Sequence, residues 1–97
     1  MDDPATDPVL QELRRRISSV DREIVGAVNR RVALVGELHR YKAQKGYPLS
    51  DPAREAELIA ELTRANPGPL SSDGLRAVYA AILAEWKRGP AARRAAS

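Results

Sequence analysis

The sequence has 97 residues, 43% of them hydrophobic and 30% charged, which is the balance of one globular domain and not of a disordered tail. A lone domain of this size buries only roughly 60–65% of the surface its unfolded chain exposes, so without staples it tends to complete its core by oligomerising. Having no Cys, the chain holds no disulfide, thiolate zinc site or cysteine nucleophile, and its single histidine, His39, excludes a multi-histidine metal centre within one chain.

In chain order, Met1-Asp2-Asp3-Pro4 is acidic and lacks the apolar core of a leader. No run approaches the ~18 apolar residues of a membrane span, so the expected address is the cytoplasm, away from any membrane. With Pro4 and Pro8, residues 1–8 read as a disordered lead-in. From there the apolar series Leu10, Leu13, Ile17, Val20, Ile24, Ala27, Leu34, Leu38, Tyr41 keeps a 3-4 spacing with one interruption, at Arg31. The spacing predicts one helix from about Val9 to Gln44, about 50 Å long at 1.5 Å per residue. Such a helix outreaches a globule of this size, and a partner subunit is the natural source of the missing cover. Gly46 suits a helix C-terminus and Tyr47-Pro48-Leu49 an extended step. Ser50-Asp51-Pro52 reads as the start of a second helix, with Leu58, Ile59 and Leu62 turned inward, that stops before Asn66-Pro67-Gly68-Pro69. Ser71, Ser72 or Asp73 caps a third helix whose apolar face is Leu75, Val78, Tyr79, Ile82, Leu83 and Trp86, ended by Gly89-Pro90. The plan is all-α, three helices in the order long, short, medium, over a domain of residues 9–88, with a basic, flexible tail at 89–97.

The pI near 9.7 invites a nucleic-acid reading, but charge placement argues against it. Lys87, Arg88, Arg93 and Arg94 lie in the last eleven residues, while residues 1–86 carry 12 Lys+Arg against 13 Asp+Glu. The body is near neutral and poor in aromatics for base stacking, so no nucleic-acid partner is expected.

Arg31 is the most informative residue, because a buried guanidinium on an apolar seam is costly unless it meets an anion. It can also be a coiled-coil register residue or a partly exposed Arg paired with an acid. Lys42 follows almost three turns later, about 16 Å along the axis on nearly the same face, so the two cations could bracket an elongated dianion. Alone, Lys42 would be an ordinary lysine whose stem lies along the surface. Asp51, Arg54 and Glu55 open the second helix. Acids there complement the helix dipole, and beside cations they would also suit a substrate bearing a hydroxyl. Arg14 lies about 25 Å before Arg31 on the same helix, so only a neighbouring antiparallel helix could bring it to that site. Its plain reading is a solvated basic stretch, Arg14-Arg15-Arg16. There is no Gly-rich phosphate loop, no Ser-His-Asp set and no metal-ligand spacing. An enzyme built from these residues would work by positioning and electrostatics.

These stretches resemble the all-helical (AroQ-class) chorismate mutases: Leu13-Arg14-Arg15-Arg16-Ile17-Ser18-Ser19-Val20-Asp21, Asn29-Arg30-Arg31-Val32-Ala33, Tyr41-Lys42, Asp51-Pro52-Ala53-Arg54-Glu55 and Asn66-Pro67-Gly68-Pro69-Leu70. Five weak motifs in order at fitting spacings cover about residues 10–88. The resemblance implies an intertwined homodimer with two equivalent sites, each completed by the partner's first helix. It implies a [3,3] rearrangement of chorismate to prephenate, towards phenylalanine and tyrosine, with no cofactor. It also implies that Arg31, Lys42 and the partner's Arg14 hold the two carboxylates and that Lys42 donates to the ether oxygen. Asp51 and Glu55 would lie near the ring hydroxyl, with Arg54 beside that acid. Lys42, Arg31 and Glu55 are thereby the expected catalytic groups.

The third helix departs from the family pattern. Counted without a gap from Tyr79, two polar positions fall on Trp86 and Pro90, and neither supplies an acceptor side chain. One wall of the site is therefore built differently, weak, or completed from outside, which leaves docking onto the first shikimate-pathway enzyme open. The alternatives are a mutase or pyruvate lyase for a related substrate, aminodeoxychorismate or isochorismate, and a non-catalytic helical dimer regulating a pathway enzyme. Glu55 favours chorismate itself. His39 is expected at a surface or interface with no catalytic role.

Overall fold

The structure, a computed structural model, describes residues 3–88. Helices α1 (Pro8–Lys45), α2 (Pro52–Ala65) and α3 (Ser72–Ala84) are followed by a 3-10 turn at Glu85–Lys87. The described residues contain no strand, so the fold is all-α with three helices. None of the described helices is long and apolar enough to cross a membrane. Two units divide the chain, one up to Arg31 and the other from Val32.

In the first unit, Asp7 caps α1: its Oδ1 accepts from the N–H groups of Val9 (2.9 Å) and Leu10 (3.3 Å), with Pro8 as the first helical residue. The helix thus starts at Pro8, one residue before the expected Val9. Gln11 Nε2 donates back to the Ala5 carbonyl (2.9 Å), holding the preceding turn against the helix start. Beyond that point the apolar series stays uncovered: Leu13, Ile17, Val20 and Ile24 are all exposed, Ile17 to 60%.

In the second unit, α1 ends in a reciprocal cap. The Gly46 N–H donates to the Ala43 carbonyl (3.3 Å) and the Tyr47 N–H to the Lys42 carbonyl (2.9 Å), the paired bonds of a Schellman motif. Gly46 makes this possible with φ of +72°, a conformation that strains any residue with a Cβ. Asp51 caps α2 through the Arg54 N–H (3.1 Å), and Pro52 sits in the first turn where its missing N–H costs nothing. Between α2 and α3, the Asn66 side chain accepts from the Gly68 N–H (3.0 Å) and donates to the Leu70 carbonyl (2.7 Å), closing the loop on itself. Of the three cap candidates for α3, Ser71 is the one used, accepting from the Gly74 N–H at 2.9 Å.

Helix α2 packs on α3. Leu75 is the buried apolar residue of this unit at 5% exposure, and Leu58, Ile59, Leu62, Tyr79, Ile82, Leu83 and Trp86 are half-buried around it. Three expectations are corrected. Val78 is 50% exposed, because α3 meets its neighbours over a narrower stripe than its apolar face offers. The third helix is no longer than the second, 13 residues against 14, since α geometry gives way to a 3-10 turn at Glu85 before Trp86. The expected stop at Gly89-Pro90 and the tail lie outside the described residues.

The third correction concerns His39, which is not a surface residue. It is only 9% exposed and meets Trp86 edge-on, with ring centroids 5.1 Å apart and planes at 79°. Burial pushes its proton affinity below the ordinary histidine range, and the Lys42 ammonium adds to that. The unfolded chain therefore takes up a proton near pH 6.5, where folded His39 stays neutral, so this residue's contribution is complete above that pH and is lost as pH falls further. Thermal melts from pH 7.5 to pH 5 should show stability declining with acid. His39→Phe should flatten that slope; an equal slope in both proteins would mean His39 is not the group responsible.

Candidate active site

Lys42 stands in the last turn of α1, and its own carbonyl accepts from the Tyr47 N–H of the Schellman cap. Its position along the backbone is thus fixed by the helix terminus itself. The side chain is half-buried, and its Nζ donates to the Leu49 carbonyl over a long 3.5 Å. At that distance the bond is weak, and the ammonium keeps donors for another acceptor. The contact ties Lys42 to the extended step leading into α2, two residues before Asp51.

The first turn of α2 carries three of the expected site residues. Asp51 is exposed and commits Oδ1 to the helix cap, while its backbone carbonyl accepts from the Glu55 N–H (3.1 Å). Arg54 is exposed and pairs loosely with Glu57 along the helix (3.6 Å). It does not pair with Asp51 or Glu55. Glu55 is half-buried, and its carboxylate forms no ion pair among the described residues.

Arg31 and Arg14 belong to the first unit. Arg31 is half-buried and forms no ion pair among the described residues. Arg14 is exposed; beside it Arg15 takes Glu12 as a partner through two of its nitrogens (2.7 and 3.1 Å). Arg15, Arg54 and Arg76 have acid partners three residues away, whereas half-buried Arg31, Lys42 and Glu55, like exposed Arg14 and Arg64, form no ion pair among the described residues.

Two features beside Lys42 were missed from sequence. One is the Leu49 carbonyl, which no side-chain motif announces. The other is His39, whose spacing three residues before Lys42 places it on the same face and was the available signal. Trp86 is half-buried against His39, in keeping with a packing aromatic, and Pro90 lies outside the described residues. The described residues hold no group of three or more His, Cys, Asp or Glu able to bind a metal ion.

Comparison with known proteins identifies the family. The chain matches the family described as chorismate mutase type II over residues 13–89. It is similar to the chorismate mutase of Thermus thermophilus, with 38% identity and a TM-score of 0.75 over 76% of this chain and 92% of that one. A second form of that structure gives 0.74. It is also 30% identical over 78 residues to a bifunctional chorismate mutase/prephenate dehydratase of Aquifex aeolicus, covering 76% of this chain and 22% of the relative. To the T-protein of Haemophilus influenzae it is 34% identical over 77 residues, 78% of this chain and 20% of the relative. The chain thus spans about a fifth of the length of these two curated relatives. With a match over most of its length and three helices of the same fold, this chain belongs to the chorismate mutase type II family.

Proposed function

We propose that this chain rearranges chorismate to prephenate as a homodimer, using fixed charges and no cofactor. What carries the reading is the family match over residues 13–89; Arg31, Lys42 and Glu55, each half-buried and in no ion pair among the described residues, are compatible with it. Chorismate is a dicarboxylate with a ring hydroxyl, so it offers anions to the cations and a donor to the acid.

In this reading Arg31 and the partner's Arg14 bind carboxylates, and Lys42 binds a carboxylate while reaching the ether oxygen. Held at both ends, the substrate adopts the compact conformer in which the two bonding carbons face each other, so the ordering cost is met on binding and not in the barrier. As the ether C–O bond lengthens and the new C–C bond forms, negative charge grows on the oxygen. An ammonium already aimed there stabilises that charge more than it stabilises the ground state. The Schellman cap and the Leu49 carbonyl hold Lys42 before substrate arrives, so little reorganisation remains to be made. Glu55 accepts from the ring hydroxyl, and Asp51, with one oxygen engaged in the cap, secures the turn that presents it. No proton needs to move. The exposed apolar series of α1 supports the dimer, since a second copy would bury it and bring Arg14 to the site.

The test is a stopped assay of the purified chain with chorismate, reading prephenate and pyruvate separately, alone and with the first shikimate-pathway enzyme. Prephenate without pyruvate is expected; pyruvate instead, or no product in either condition, contradicts the reading. Lys42→Ala should lower kcat by about 10²–10³-fold, the usual loss for one donor to a developing oxyanion, with the helical content intact. Near-normal turnover would remove Lys42 from that role. Ile17→Glu, placing a charge in the exposed series, should shift sedimentation from dimer to monomer and abolish turnover together. A wild-type chain that sediments as a monomer yet turns over would contradict the shared site.

A further inference from the structure

Two contacts on the second unit converge on one turn of α1, and only one of them involves Lys42 itself. His39, one turn before Lys42 on the same face, is buried at 9% exposure and packs edge-on against Trp86 at 5.1 Å. Its Nδ1 is shielded from solvent and has no hydrogen-bond partner among the described residues. A buried polar atom left unpaired works against stability, so a side chain of this kind is not the choice a plain core would make. Trp86 is the residue on the other side, carried on the 3-10 turn that follows α3. A 3-10 turn rotates its side chains by about 120° per residue in place of the 100° of an α-helix, so the switch at Glu85 re-aims Trp86 relative to the face set by Tyr79 and Ile82.

We propose that His39 and Trp86 are positioning residues for Lys42: their edge-to-face contact clamps the Lys42 turn of α1 to the end of α3, and so aims the ammonium at its acceptor. The inference rests on the role given to Lys42 above. Both rings act through Lys42 in this arrangement. The Lys42 backbone is tethered on one side by the Tyr47 N–H, its Nζ only weakly by the Leu49 carbonyl, and the ring pair supplies the remaining restraint from the third helix. Edge-to-face geometry fixes orientation as well as distance, which an aliphatic contact of the same area does not. The clamp needs a ring at position 86, not an indole N–H, because the contact is between ring systems.

The experiment compares Trp86→Phe, Trp86→Leu and His39→Ala with the unmodified chain, each shown to be folded and of unchanged oligomeric state at the assay temperature. Two readouts are taken. The first is kinetic: Trp86→Leu and His39→Ala should lower kcat by about 10-fold or more with KM within about threefold, and Trp86→Phe should restore kcat to within about threefold of the parent. The second uses no substrate: the two Lys42 Cε protons should be inequivalent by NMR in the parent and in Trp86→Phe, and should average to one signal in Trp86→Leu and His39→Ala. Loss of thermal stability with kcat and the Lys42 signals unchanged would reduce the pair to a packing contact and overturn the proposal. If the parent has no turnover, the reading of the function fails, while the Lys42 signals still decide whether the clamp exists. Should both leucine and alanine variants unfold, Trp86→Phe against the parent, with Lys42 order unchanged on warming until the ring contact melts, supports the clamp; Lys42 averaging before that point overturns it.

Discussion

Helix α1 presents an apolar series that nothing described in its own first unit covers. Residues such as Ile17 and Ile24, 60% and 53% exposed, would be among the first to enter the core of an ordinary small domain. Long helices owe most of their stability to packing of one face, and each uncovered Å² of apolar surface forgoes about 25 cal/mol. The proposed second copy resolves the deficit and has a functional consequence, because the same helix carries Arg14. Stability and catalysis then depend on one interface, and a mutation in the apolar series would act on both.

The charges follow a complementary logic. Exposed Arg15, Arg54 and Arg76 are satisfied locally by acids on the same helix, with little gain and little penalty. Arg31, Lys42 and Glu55 are half-buried and receive no counter-charge among the described residues. In the proposed function a dicarboxylate with a hydroxyl supplies the missing partners when it binds. A rearrangement without proton transfer needs no more than this: anchors at fixed places and a cation where charge develops. The chain has no cysteine and one histidine, and under this account it needs neither as a reacting group. The histidine is used for its ring.

The helices were legible because their signals are local. The 3-4 spacing from Leu10 to Tyr41 sets α1, Gly46 ends it, and Asp51-Pro52 starts α2, each within one residue of the observed bounds. The family followed from Arg14, Arg31, Lys42 and the Asp51-Arg54-Glu55 turn in order, since each motif is weak and the spacing between them is not. What escaped depends on contacts between elements. His39 reads as a surface or interface residue next to Arg40, and its burial follows from where Trp86 arrives. Trp86 was legible as a member of the apolar face and is half-buried; its partner His39, and the 3-10 turn at Glu85 that carries it, were not. Val78 looked like core because its face is apolar; its exposure depends on how much of α3 the rest of the chain reaches. Asp7 was absorbed into the lead-in, although an acid directly before Pro8 carries the same cap signature as Asp51-Pro52.

The central claim is that each site takes Arg31 from one chain and Arg14 from the other. Its most direct test is to prepare Arg14→Ala and Arg31→Ala separately, unfold and refold them together, and assay the confirmed heterodimer for chorismate turnover. Exchange by two-fold symmetry leaves one intact and one doubly defective site in each mixed dimer, so random mixing should restore about a quarter of the parent's activity from two nearly inactive proteins. Activity that stays at the level of the separate variants would place both arginines within one chain's site and contradict the account.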